Sequence, residues 1–233
     1  CVRVEIRRLR IHWDMLKKIV AVGIPAAIQM AITSFSNVFV QSYIANVNGV
    51  QANCLGGWTT YSKVDQFIFL PVQSIALAVT TFVGQNLGTN DVKRAKKGTR
   101  TAFMMALAVT VVLIVLVMLL APYLAAIFTA DPEIVRYATL LLQTITPFYV
   151  FPCINQIFSA ALRGAGETRA PMFIMLGSFV AFRQVYLYVV STFISNEILP
   201  IGMSYPAGWF LCAVCTLLYY RHCDFSAKRV VET

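Results

Sequence analysis

The sequence predicts an all-α, polytopic membrane protein, a bundle of six transmembrane helices, and three observations carry that reading. The 233-residue chain is 58% hydrophobic and 12% charged, with a mean hydropathy of +0.71, outside the usual mix of soluble domains. Apolar runs of about 20 or more residues recur, each long enough at 1.5 Å per residue to cross roughly 30 Å of hydrocarbon. Positive charge alternates between connections: Arg3, Arg7, Arg8, Arg10, Lys17 and Lys18 precede the first run, Lys93, Arg94, Lys96, Lys97 and Arg100 follow the second, Arg163 and Arg169 the fourth, and Arg221, Lys228 and Arg229 the sixth. The intervening connections carry only Arg136. That pattern is the positive-inside signature of an even number of spans with both ends cytoplasmic.

The opening residues 1–15 alternate apolar and basic side chains and reach Trp13, as an amphipathic segment on the bilayer surface or a linker would. The chain starts at Cys1, with no short leader before the first span, and is read as a fragment. The first span, 16–47, contains Gly23 and Pro25 and carries Gln29, Thr33, Asn37 and Gln41 at every fourth position, with Ser36 beside them. Four residues turn a helix by about 400°, so these polar groups drift slowly along one side.

The second span, 53–87, holds Lys63, Asp65, Gln66, Gln73 and Ser74, is interrupted by Pro71, and ends with Gly84 and Gly88 four residues apart. The third, 98–121, restarts behind Asn90 or Asp91. The fourth, 133–162, opens with Asp131 as N-cap, Pro132 at the first helical position and Glu133 in the first turn. It contains Pro147 and Pro152 and the polar trio Asn155, Gln156 and Ser159, and it ends at "RGAG", where Gly164 and Gly166 permit left-handed backbone. The fifth, 171–194, encloses Arg183; the sixth, 200–222, leads to the tail 223–233. Residues 16–222 therefore form one six-helix lobe. The interior prolines are packing kinks or functional bends facing protein or a cavity, because the backbone groups they free must be satisfied inside the bilayer.

A lone Lys, Arg or Asp in mid-span costs about 2.5–3.5 kcal/mol on insertion scales, so Lys63, Asp65 and Arg183 should face inward. Lys63 and Asp65 lie about 200° apart on a helix and cannot readily satisfy each other. The expected arrangement pairs Asp65 with Arg183 and turns Lys63 to a polar cavity. A pair that only fixes helix register is the alternative. The amides are hydrogen-bonding glue between helices or the wall of a wet cavity, and their spread over three spans favours the cavity.

The net charge of +9 is accounted for by topology and contact with anionic lipid heads, and no basic patch interleaved with aromatics points to nucleic acid. HExxH, GxSxG and GxxxxGK motifs are absent, and His12 and His222 stand at opposite ends, which argues against an enzyme. The six cysteines have no framework spacing, so neither metal nor cofactor is expected.

Four stretches, "GIPAAIQ" at 23–29, "FLPVQSIALAVTTFVGQNLGTNDVKRAKKG" at 69–98, "ALRGAGETRAPM" at 161–172 and "YPAGW" at 205–209, resemble the multidrug and toxic compound extrusion (MATE) family. More narrowly they are similar to a branch common in anaerobic gut bacteria, in which a Lys, one spacer and an acidic residue recur in the second helix of this lobe. The resemblance implies a twelve-helix secondary antiporter in a bacterial cytoplasmic membrane, two six-helix lobes opening alternately and exchanging H⁺ or Na⁺ for a small organic substrate. This chain would be the C-terminal half and its partner the missing N-terminal lobe. Sites in such repeat-built proteins lie near the midplane between repeats.

One departure matters: some branches carry a coupling carboxylate in the first helix of this lobe, whereas here no acidic residue follows Asp14 in that span and Thr33 lies deep in the polar stripe. Asp65 is then the deep carboxylate of this half, Asp131, Glu133 and Glu197 lying toward the external surface, and the coupling group can equally sit in the other lobe. Aromatic residues (Phe67, Phe69, Phe148, Tyr149, Phe151, Tyr186, Tyr188) would suit a lipophilic cation. The competing reading, a lipid-linked saccharide flippase of related architecture, requires more cationic groups in the cavity than Lys63 and Arg183.

Overall fold

The computed structural model describes residues 13–47, 51–194 and 197–223. The segments 1–12 and 224–233 and the side chains of Pro25 and Gln29 lie outside the described residues. Helix α1 runs Trp13–Ala45, α2 Gln51–Gly88 and α3 Val92–Ala126. The fourth span is α4, Pro132–Ile145, continued through a 3₁₀ turn, Thr146–Tyr149, into α5, Val150–Gly164. The fifth is α6, Arg169–Leu176, a π-helical turn at Gly177–Phe182, α7, Arg183–Val189, and a second π turn at Val190–Ile194. A short α8, Ile198–Gly202, leads into α9, Ser204–His222. Among the described residues there is no strand.

Five of these stretches, Asn53–Gly88, Val92–Ala126, Pro132–Gly164, Arg169–Ile194 and Ile198–His222, are long and apolar enough to cross a membrane. Helix α1, with 33 residues, has the length for a sixth crossing. The chain is thus the all-helical, multi-pass membrane protein that its composition predicts. The exposed face of α3 carries Met104, Val111, Val112, Val115, Leu119 and Leu120, a surface suited to acyl chains.

Helix α2 is the central pillar, packed on α3, α4 and α5, while α5 packs on α9. The core divides in two. One cluster joins Trp58, Tyr61, Leu141, Leu142, Tyr149, Leu187 and Trp209. The other is built from small residues, Ala76, Ala95, Ala106, Ala160 and Ala161 with Val79 and Val83, which lets helices approach closely.

Helices α2 and α5 end alike. After Gly88, Asn90 takes φ 61°, Asn90 N donates to Leu87 O at 3.0 Å, and Asp91 N to Asn86 O at 2.8 Å. After Gly164, Gly166 takes φ 80°, Gly166 N donates to Arg163 O at 3.0 Å, and Glu167 N to Leu162 O at 2.9 Å. Both are Schellman caps, which satisfy the last carbonyls of each helix with a left-handed residue. Helix α3 then starts on Asp91, whose carboxylate accepts from Arg94 N at 2.9 Å, and α4 starts on Asp131, which accepts from Glu133 N at 2.9 Å behind Pro132.

Gly84 and Gly164 face each other where α2 crosses α5. A Cβ on Gly164 would stand 2.5 Å from Thr80 O, and one on Gly84 3.3 Å from Gly164 O, whereas nothing lies within 4 Å of a Cβ on Gly88. The Gly164→Ala variant should therefore lose about 1–3 kcal/mol, the usual cost of overpacking. Gly88→Ala should change little; thermal unfolding in detergent distinguishes the two.

Candidate functional site

Arg183, only 2% exposed, lies near the middle of the fifth span. The π turn just before it adds a residue to the helical repeat and so re-aims the side chains that follow. Its Nη1 donates to Asn37 Oδ1 of α1 at 3.0 Å, and Tyr205 Oη of α9 donates to the same oxygen at 3.0 Å. The guanidinium carbon sits 4.2 Å from the centroid of the Tyr205 ring and 5.0 Å from that of Phe179. Ser36 Oγ donates to the Phe179 carbonyl within the π turn, and Gln184 Nε2 reaches Ser36 Oγ at 3.5 Å. Gly208 of α9 lies beside this contact, where a Cβ would meet Ser178 O at 3.4 Å and Arg183 Nε at 3.8 Å, ordinary van der Waals distances.

Asp65 of α2 accepts hydrogen bonds from Tyr149 Oη and, at 3.5 Å, from Tyr61 Oη one turn earlier on its own helix. Tyr149 is the last residue of the 3₁₀ turn that begins at Thr146 and contains Pro147, so the break in the fourth span sets where its hydroxyl lies. The expected Asp65–Arg183 pair does not form. The reason is the aromatic wall between their partners: Trp58 packs on Tyr61 at 5.1 Å and on Tyr205 at 5.0 Å, and Trp209 packs on Tyr149 at 5.7 Å and on Tyr205 at 5.8 Å. Asp65 is held by two phenol hydroxyls, and Arg183 by one amide oxygen and two aromatic rings, with its Nε left without a hydrogen-bond partner, so neither charge is paired with the other.

The remaining polar residues separate into groups. Asn155 Oδ1 accepts from Ser159 Oγ at 3.1 Å, Thr216 Oγ1 at 3.0 Å and Cys212 Sγ at 3.3 Å, a buried joint between α5 and α9. Thr33 and Gln156 are half-buried, Gln41 is exposed, Pro147 is exposed and Pro152 is buried. Lys63 is exposed, with Nζ 5.8 Å from the Phe128 ring centroid just beyond α3. Lys63, Gln66, Phe67, Leu70, Gln73, Ser74 and Leu77 are all exposed and recur at three- and four-residue steps, so one face of α2, which includes Pro71 beside Leu70, is polar and, apart from the approach of Phe128 to Lys63 and Phe67, left open by the described residues. Four of those seven side chains are polar, against the apolar face of α3, and hydrocarbon alone does not favour that composition.

The sequence singled out Asn37, Asp65 and Arg183 but not Tyr61, Tyr205, Trp58 or Trp209, and it read Tyr149 as part of an apolar wall. The four-residue spacing of Tyr61 and Asp65 is a usable signal; the π turn leaves none beyond Gly177 at its start.

The MatE family model matches residues 25–189, most of the chain and all of the network except α9. The chain belongs to the MatE family. Relatives include a probable multidrug resistance protein, YoeA, of Bacillus subtilis, 27% identical over 96% of this chain and 47% of that protein. Another is the probable multidrug resistance protein NorM of Thermotoga maritima, 27% identical over 94% of this chain and 47% of that protein. The chain spans about half the length of the curated relatives it matches. Its fold superposes on a MOP superfamily transporter from Pyrococcus furiosus with a TM-score of 0.86 at 20% identity, over 94% of this chain and 49% of the other. It also superposes on a MATE family transporter in outward-facing form, with a TM-score of 0.85 at 20% identity, over 94% of this chain and 49% of the other.

Within this MatE lobe, truncating the partner should cost more than removing the charge. Asn37→Ala leaves Arg183 Nη1 without its acceptor and should destabilise by about 1.5–3 kcal/mol. Arg183→Met removes a buried cation and leaves Asn37 to Tyr205, so the loss should be smaller. Thermal melting in detergent ranks them.

Proposed function

We propose that this chain is the C-terminal six-helix half of a cation-coupled efflux antiporter that works by alternating access, in a bacterial cytoplasmic membrane with both ends of this segment cytoplasmic. Its partner is an N-terminal six-helix lobe, and the exposed polar face of α2, with Lys63, Gln66 and Gln73, meets the hydrated space between lobes. The relatives' names, multidrug resistance proteins, support a small organic substrate.

The observation that carries the reading is the environment of Asp65, a carboxylate in a span held by two phenols rather than by a cation. A carboxylate locked to arginine is already neutralised. One held by hydroxyl donors can take up H⁺ or Na⁺ while Tyr149 gives up its bond to the anionic oxygen. Because Tyr149 ends the 3₁₀ turn of the fourth span, occupancy of Asp65 by the coupling ion would bias the α2 contact with the α4–α5 bend, and a difference in affinity between two arrangements is what alternating access requires. Gln29, Thr33, Gln41 and Gln156 remain candidates for the substrate path, and Pro25, Pro71, Pro147 and Pro152 for its bends. A flippase for lipid-linked saccharides is less well supported, since Arg183 is enclosed by Asn37, Tyr205 and Phe179 and cannot hold a pyrophosphate without dismantling that shell.

The test expresses the full gene in an efflux-deficient host and measures drug susceptibility. Asp65→Asn should remove resistance conferred by the wild type, and Tyr149→Phe, which keeps the carboxylate but loses one hydrogen bond, should fall between, by roughly tenfold or less for one such bond. Wild-type resistance in Asp65→Asn, at equal membrane abundance and melting temperature, overturns the assignment.

A further inference from the structure

Between α2 and α3, at the end of the bundle that carries the basic run, lies a groove of about 490 Å³. Its walls are Ile75, Ala78, Val79, Phe82, Ala102 and Met105, and its mouth holds Arg94 and Lys97. The lining positions on α3, from Arg94 to Met105, cover eleven steps, about 16 Å along the helix axis. Gly98 is what shapes it: a Cβ there would stand 2.1 Å from Phe82 Cε1, so only glycine lets the ring lie back against α3 and leave the channel beside it open. Asp91, the nearest carboxylate in sequence, is engaged with the backbone N–H of Arg94 as the N-cap of α3. Two cations thus stand above an apolar slot that runs into a lipid-suited helix face.

We infer that this groove binds an anionic phospholipid, one acyl chain lying between α2 and α3 and the headgroup phosphate on Arg94 and Lys97. The charge complementarity is local: Lys93, Lys96 and Arg100 are also exposed on α3 but do not line the groove. Diffuse attraction of a basic segment for an acidic surface would use all five alike. A seated lipid uses two of them, together with the slot.

Native mass spectrometry of the purified protein in neutral detergent, titrated with phosphatidylglycerol or phosphatidylcholine, tests this. Phosphatidylglycerol should bind about thirtyfold more tightly, a preference of the size two basic contacts at a membrane surface provide. Arg94→Gln with Lys97→Gln should abolish the preference, Lys93→Gln with Arg100→Gln should keep it, and Ala78→Phe with Ala102→Phe should reduce binding of both lipids. Inorganic phosphate should not displace the lipid. Equal binding of the two lipids, equal loss in both charge variants, or displacement by phosphate alone each overturns the inference. The charge variants sit at exposed positions and decide the matter should the groove-filling variant fail to fold.

Discussion

The structure turns on one constraint: a guanidinium in the middle of a membrane span must be solvated by protein. An uncompensated charge there costs several kcal/mol, and Arg183 cannot reach the bilayer surface from the centre of its span. Its shell is therefore assembled from four elements. Helix α1 supplies the amide oxygen of Asn37, α9 the ring and hydroxyl of Tyr205, the π turn the ring of Phe179, and α7 the arginine itself. The π turn follows from this requirement, since it sets the direction of the side chain.

Solvating Arg183 separately has a consequence on the other side of the aromatic wall. Asp65 is left to Tyr149 and Tyr61, one on the bend of the fourth span and one on its own helix. Rigid and adjustable parts are thereby segregated. The joint at Asn155 and the glycine crossing at Gly84 and Gly164 tie α5 to α9 and α2, whereas the carboxylate is held through a hydroxyl on a break in the fourth span.

Much of the fold was legible because hydropathy and loop charge report directly on burial in lipid. The cap at Asp131 was legible for the same kind of reason, while the sequence left the start of α3 open between Asn90 and Asp91 and allowed a left-handed Gly164 as well as Gly166, of which Gly166 takes that conformation. The site was legible only as a set of residues. Polar groups in a span announce that they need partners, but their pairing depends on helix rotation, and the π turn of the fifth span shifts rotation without a sequence period to mark it. Hence Asp65 and Arg183 were expected to meet, and of the tyrosines that hold them only Tyr149 was noted, among aromatic residues suited to a lipophilic cation. Asn155 was expected to line a cavity with the other amides, yet its oxygen is filled by three donors from α5 and α9.

The separation of the two charges is tested most directly by paired double-mutant cycles on thermal stability. One cycle combines Asp65→Asn with Arg183→Met, the other Asn37→Ala with Arg183→Met. The account predicts near-additive losses in the first, within about 0.5 kcal/mol, and a coupling of about 1–3 kcal/mol in the second. Strong coupling between Asp65 and Arg183, with additivity between Asn37 and Arg183, would contradict it.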